Sequence, residues 1–185
     1  MSNYKIRTVT VDDAEQLLAI YSYYVENTAI TFEYTSPTLA EFKDRISNTL
    51  KKYPYLCILR EDTILGYAYA GRIHTRAAYQ WTAELTIYLA PDARKCGLGR
   101  MLYETLESQL KEMGILNLYA CIGYPRTVDE YLSQNSSQFH EHMGYTTVGV
   151  FHNCGYNYGR WYDMIYMEKI IGEHTDNPSA PKYAV

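Results

Sequence analysis

Arg94-Lys95-Cys96-Gly97-Leu98-Gly99-Arg100 is a short turn dense in backbone N–H groups, the kind that can hold a pyrophosphate without a metal. Two glycines let the main chain approach an anion closely, and a helix starting there would aim its partly positive N-terminus at the same point. Arg94, Lys95 and Arg100 add charge at the rim. Glycine is common in any strand-to-helix turn, so the flanks must decide the reading. Two other phosphate motifs do not fit. A P-loop needs Gly-Lys-Ser/Thr after a longer spacer, whereas Gly99 is followed by Arg100-Met101; the dinucleotide fingerprint needs a small residue where Leu102 stands.

The flanks supply the positioning elements. Upstream, Glu84-Leu85-Thr86-Ile87-Tyr88-Leu89 alternates strictly, so Leu85, Ile87 and Leu89 face one way and Glu84, Thr86 and Tyr88 the other. Downstream, Leu98, Leu102, Leu106, Leu110 and Met113 form one apolar helical stripe, with Gly114 placed as a C-cap. The unit is strand, anion turn, amphipathic helix.

Composition narrows the class. The chain has 185 residues, 47% of them hydrophobic, enough for one good core in a single domain. A formal net charge of −4 argues against general nucleic-acid binding, which wants a basic face. No stretch approaches the ~18 apolar residues of a membrane span, and no signal-peptide core opens the chain, so a cytoplasmic protein without membrane partners is expected. Cys57, Cys96, Cys121 and Cys154 are scattered, and His140 and His142 lack nearby thiols, so no metal is expected. The 21 tyrosines read mainly as packing, with a minority lining a pocket.

Along the rest of the chain, residues 4–10 read as a strand, and Asp12 or Asp13 as the cap of a helix reaching about Asn27. A loop spans 28–33, and Pro37 precedes a second helix to about Lys51. Strands are expected at 55–60, 64–73 and 80–89. After the helix at 99–113 come a strand at 116–122, a helix near 135–143, and strands near 146–153 and 161–170. Residues 1–171 form one domain, and 172–185, with two prolines and few large apolar groups, read as a flexible tail. The layout is mixed α/β.

In this order of elements, Arg94-x-x-Gly97-x-Gly99 resembles the acetyl-CoA loop of GNAT-superfamily N-acetyltransferases. Three further segments resemble the phosphinothricin and methionine sulfoximine acetyltransferase branch. They are Arg76-Ala-Ala-Tyr79-Gln-Trp81-Thr82-Ala-Glu84, Ser136-Ser-Gln-Phe139-His140-Glu141-His-Met-Gly144-Tyr145 and Gly155-Tyr156-Asn-Tyr-Gly159-Arg160-Trp161-Tyr162-Asp163. The resemblance implies a GNAT-like fold: a central, mostly antiparallel twisted sheet, flanking helices and a strand–Gly-turn–helix acetyl-CoA site. It also implies a small-molecule amine as acceptor and a homodimer. One departure is residues 126–135, several more than the branch usually has. The superfamily's pantetheine-holding asparagine lies three residues before the serine; here that slot is Ser133, and Asn135 directly precedes Ser136.

Acetyl transfer to an amine needs a base, because only the neutral amine attacks, and a donor to the developing oxyanion. The resemblance points to Glu84 as base, acting directly or through water, and to His140 in the slot of the superfamily's tyrosine acid. Leu89 would supply the oxyanion N–H. Lys95 to Arg100, including Cys96 and Leu98, would hold the pyrophosphate with Arg94, and Asn135 and Ser136 are candidate cofactor contacts. Arg76 and Tyr79 would clamp an acceptor carboxylate, and Phe32 would close the other side, with Glu33 more simply a solvated acid. Gly155–Asp163 has the aromatic density of a lid or subunit contact. Other readings remain: acetylation of a protein N-terminus or polyamine, or an acyl-CoA sensor without catalysis.

Overall fold

A computed structural model of the chain describes residues 4–94 and 96–183. The strands are β1 (Tyr4–Thr8), β2 (Tyr55–Arg60), β3 (Thr63–Gly71), β4 (Thr82–Leu89), β5 (Asn117–Tyr124), β6 (Thr146–Asn157) and β7 (Arg160–Ile170). The helices are α1 (Ala14–Asn27), α2 (Leu39–Leu50), α3 (Leu98–Met113) and α4 (Asn135–His142). All seven strands join one sheet in the order β1-β2-β3-β4-β5-β7-β6. Every pairing is antiparallel except β4 with β5.

Both faces of the sheet are covered, which is why five of the six β2 residues are buried in an unbroken apolar run. Leu98, Leu102, Leu106 and Leu110 of α3 pack on one face against Leu85, Leu118 and Met167. Each leucine so buried contributes on the order of 2 kcal/mol. Leu17, Tyr21 and Val25 of α1, with Phe42 and Ile46 of α2, cover the other face over Tyr55, Cys57 and Tyr67. The alternation of β4 is thereby realised, with Leu85 under α3 and Tyr88 against the α1 and α2 side.

Two local readings are corrected. Asp13 does not cap α1: its carboxylate accepts from Arg7 Nη1 and Nη2 at 2.7 Å and from the Thr10 N–H at 2.7 Å, and α1 starts behind a 3-10 turn. Residues 172–183 are not a frayed tail. Trp81 Nε1 donates to Ser179 O at 2.8 Å, the Lys182 N–H to Met113 O at 2.8 Å, and the Tyr183 hydroxyl to Gln80 O at 2.8 Å. Two backbone groups and one tyrosine hydroxyl of the segment anchor it, which composition does not reveal.

The feature that makes a site is where β4 and β5 part. They pair only over Thr82↔Asn117, Ala83↔Leu118 and Glu84↔Tyr119. Beyond that, β4 stays with β3 as far as Gly66↔Leu89, while β5 stays with β7 as far as Tyr124↔Asp163. A wedge opens in the middle of the sheet, and α3 and α4 start at its edge.

Candidate active site

The wedge forms the wall of a cleft of about 670 Å³ that also takes in the turn before α3 and the start of α4. Gly97 sits at the N-cap of α3 with φ 78, the left-handed conformation that glycine adopts freely. The first described intrahelical bond runs from the Met101 N–H to Gly97 O, so the N–H groups of Leu98, Gly99 and Arg100 have no helical acceptor. With the helix dipole behind them these donors lie at the cleft, an arrangement suited to an anion.

The two glycines serve different ends. A Cβ on Gly97 would meet nothing within 4 Å, so its freedom serves the turn and leaves the cleft open. A Cβ on Gly99 would come 3.2 Å from Phe139 Cε2, so Gly99 lets α4 pack against α3. Both glycines line the cleft, but only Gly97 has open space at its Cβ position. Arg94 lines the cleft with its guanidinium 5.1 Å from the Tyr24 ring centroid, and Arg100 reaches Glu104 at 3.9 Å. Cys96 is exposed and donates to Arg94 O at 3.4 Å; it is not among the residues lining the cleft. Lys95 lies outside the described residues.

The free edge of β4 supplies further donors. The Ala90 N–H donates to Leu65 O at 2.8 Å, so Ala90 and Tyr88 face β3 and the residues between them turn away. Ile87 and Leu89 therefore direct their N–H groups to the side that β5 has left. Only Leu89 was anticipated; Ile87 follows from the same alternation. Tyr24 donates its hydroxyl to Leu89 O at 2.5 Å and fixes the strand end from the α1 side.

Glu84 is the last β4 residue paired with β5, and it lines the cleft. Burial raises its pKa, opposed by a hydrogen bond from Tyr166 and the nearby His74. A carboxylate biased toward accepting a proton at the end of a wedge has the character of a general base.

His140, the residue expected as acid, lines the cleft together with Tyr103. Its ring is 3% exposed, with Nδ1 2.7 Å from Ser136 O and Nε2 2.8 Å from the Tyr103 hydroxyl. A carbonyl can only accept, so Nδ1 carries the hydrogen; Nε2 then accepts from Tyr103, itself fully buried. Burial lowers the pKa to about 4, partly opposed by the Ser136 hydrogen bond. Burial therefore favours the neutral ring, and that burial is invisible in the sequence.

The acceptor-side expectations divide. Phe32 packs over Gly155, where a Cβ would lie 2.5 Å from its ring, and beside Gly123 of β5, which lines the cleft. Arg76 and Tyr79 are not brought into the cleft of this chain. They are exposed around the 3-10 turn Ala77–Tyr79, where the two alanines offer no apolar anchor and Tyr79 packs on His74 at 4.6 Å. Residues 126–135 are clamped to the β6–β7 hairpin: Arg126 pairs with Asp163 at 3.0 Å, Arg160 with Asp129 at 2.9 Å, and Tyr131 stacks on Tyr158 at 4.0 Å. The clamp sets Leu132 and Ser133 in the cleft wall beside Asn135 and Ser136. Tyr156 and Trp161 stay exposed and do not line the cleft. Among the described residues no three His, Cys, Asp or Glu side chains gather as metal ligands, and no helix is long and apolar enough to cross a membrane.

A splayed β4–β5 pair, an open helix N-terminus at its rim and a half-buried carboxylate inside suit acyl transfer. Residues 6–166 match the family described as acetyltransferase (GNAT) domain, and the chain belongs to that family. It is 31% identical to phosphinothricin N-acetyltransferase of Streptomyces viridochromogenes over 89% of this chain and 86% of that one. It is 28% identical to the L-methionine sulfoximine/L-methionine sulfone acetyltransferase of Pseudomonas aeruginosa over 88% and 92%. The crystal structure of a GNAT-superfamily phosphinothricin acetyltransferase from Sinorhizobium meliloti in complex with AcCoA superposes with a TM-score of 0.87, at 30% identity over 97% of this chain and 94% of that one.

Proposed function

We propose that this chain moves the acetyl group of acetyl-CoA to the amine of a small amino-acid-like acceptor, of the phosphinothricin or methionine sulfoximine type, by direct attack in a ternary complex. The observation that carries the reading is the free edge of β4: unpaired N–H groups of Ile87 and Leu89 in one cleft with Glu84 and the open N-terminus of α3. The names of the relatives support the acceptor class.

The cofactor's diphosphate rests on the N–H groups at Gly97 to Arg100, and its amide-bearing arm adds to β4 as a short extra strand. Ile87 and Leu89 stand roughly 7 Å apart, the repeat of an extended chain. One of their N–H groups stabilises the oxyanion as the amine nitrogen attacks the thioester carbon. The C–S bond then breaks and coenzyme A leaves as thiolate. The amine's proton goes to Glu84. Along β4 the stretch from Glu84 to Ile87 is roughly 10 Å, beyond hydrogen-bond reach, so the transfer runs through water.

Exposed Val148, Val150, Phe151 and Trp161 on β6 and β7 support a homodimer. Thiol release from acetyl-CoA with phosphinothricin, methionine sulfoximine, methionine sulfone, peptides and polyamines tests the function. Turnover with the amino-acid-like amines is expected. Turnover confined to peptides or polyamines, or acetyl-CoA binding with no turnover, contradicts it.

A further inference from the structure

The sheet face that carries Glu84 also carries a second, smaller pocket. Glu84, Thr86 and Tyr88 of β4 share that face with their β3 partners Gly71, Tyr69 and Tyr67, and Tyr55 and Cys57 of β2 lie opposite Tyr69 and Tyr67. Where α2 crosses β2 and β3, a pocket of about 340 Å³ remains, lined by Tyr21, Arg45, Asn48, Tyr55, Tyr67 and Tyr69 among others. Tyr69 also lines the main cleft, so the two spaces share a wall.

Its interior is rich in donors. Tyr55 is 3% and Tyr67 1% exposed, and both line the pocket beside Arg45. The Arg45 guanidinium stands 6.0 Å from the Tyr21 ring centroid and opposes the rise that burial imposes on the Tyr21, Tyr55 and Tyr69 hydroxyls. Glu33 occupies Arg45 Nη1 at 2.9 Å, and a guanidinium has five N–H donors, so others remain. Phenolic O–H groups and a guanidinium converging on one small space are satisfied by an oxyanion.

We propose that this pocket receives the terminal oxyanion of the acceptor's side chain, held by Arg45 and the Tyr55 hydroxyl while the amine lies toward Glu84. The proposal rests on the acceptor class inferred above and narrows it. From β4 across β3 to β2 is two strand spacings, about 10 Å. An amine within about 3 Å of Glu84 or its water leaves the rest to the acceptor. Five extended bonds, from amine nitrogen through two methylenes to a phosphinate or carboxylate oxygen, reach about 6 Å. The α-carboxylate is too close to the amine to reach. The pocket therefore selects amino acids with an acidic group two methylenes from the α-carbon, ahead of neutral sulfones of the same length.

The experiment compares kcat/KM for L-phosphinothricin, anionic at its far end, with that for L-methionine sulfone, neutral there. Wild type should prefer the anionic acceptor, and Arg45→Gln should cut that preference by about 10- to 100-fold, the worth of hydrogen bonds to a charged group. Arg45→Lys should restore part of it, and Tyr55→Phe should lower it with Arg45 in place. Calorimetric titration of L-phosphinothricin into the protein–coenzyme A complex reads the same subsite without turnover and should show a matching loss in Arg45→Gln. No wild-type preference, an unchanged ratio in Arg45→Gln, or equal calorimetric affinities would overturn the subsite. Absence of acetyl transfer to any amine would instead overturn the proposed function, so the two failures are told apart.

Discussion

Acidification below pH 6.5 should destabilise this protein through one ring. His140 is neutral when folded and resists protonation to about 4, because it is buried and its two nitrogens are committed to Ser136 O and the Tyr103 hydroxyl. An unfolded histidine takes its proton near 6.5. Between those values the unfolded chain binds more protons than the folded one, so stability rises with pH across that window and is lost as pH falls through it. At 1.36 kcal/mol per pKa unit, the drop from 6.5 to about 4 amounts to roughly 3 kcal/mol. Asp163 acts lower: burial would raise its pKa, but Arg126, the Asn153 N–H and His152 outweigh that and hold it at about 2. Urea unfolding at pH 7, 6, 5 and 4.5 of wild type and His140→Gln isolates the ring, since glutamine can still accept from Tyr103. The variant should be less stable at pH 7, and the gap should narrow by about 2–3 kcal/mol at pH 4.5. Parallel pH dependences would refute the buried neutral imidazole. So would loss of the basic limb of the pH–rate profile in His140→Gln, which would return the ring to the role of acid.

Other perturbations probe the turn and the hairpin. Gly97→Asp should raise the acetyl-CoA KM at least tenfold through a negative charge at the cradle, with ~1–2 kcal/mol of stability lost to left-handed strain; an unchanged KM in steady-state assays removes the cradle from that position. Gly155→Val should raise the acceptor KM and lower Tm by several degrees, because its Cβ would lie 2.5 Å from the Phe32 ring and evict it. An unaltered Tm and KM in Gly155→Val would show that Phe32 is not held there.

How far the sequence could be read depends on how local each signal was. The bounds of β2 and the leucine stripe of α3 are set by periodicities contained within the element, and both appear as expected. Glu84 was legible for the same reason, since alternation placed it with Thr86 and Tyr88. The departure of β5 from β4 after Glu84 is a tertiary event, so the free Ile87 N–H could be found only by counting from Leu89 once the wedge was known. The burial of His140 was not legible because it comes from Phe139 on its own helix, Tyr103 on α3 and Tyr145 beyond α4 together. The exposed position of Arg76 and Tyr79 was not legible, since loop propensity does not say which way a turn faces, and Arg45 carries no local signal that sets it apart within α2. The 126–135 segment has ion-pair partners some 30 residues away, beyond any local pattern.

The central claim is that Glu84 takes the amine's proton in a cleft whose backbone donors hold acetyl-CoA. The most direct test is the pH–rate profile of Glu84→Gln, with acetyl-CoA affinity measured alongside. A fall in kcat of at least ~10²-fold from pH 6 to 9, with acetyl-CoA binding retained, is the expected result. A near-wild-type rate over that range would contradict it.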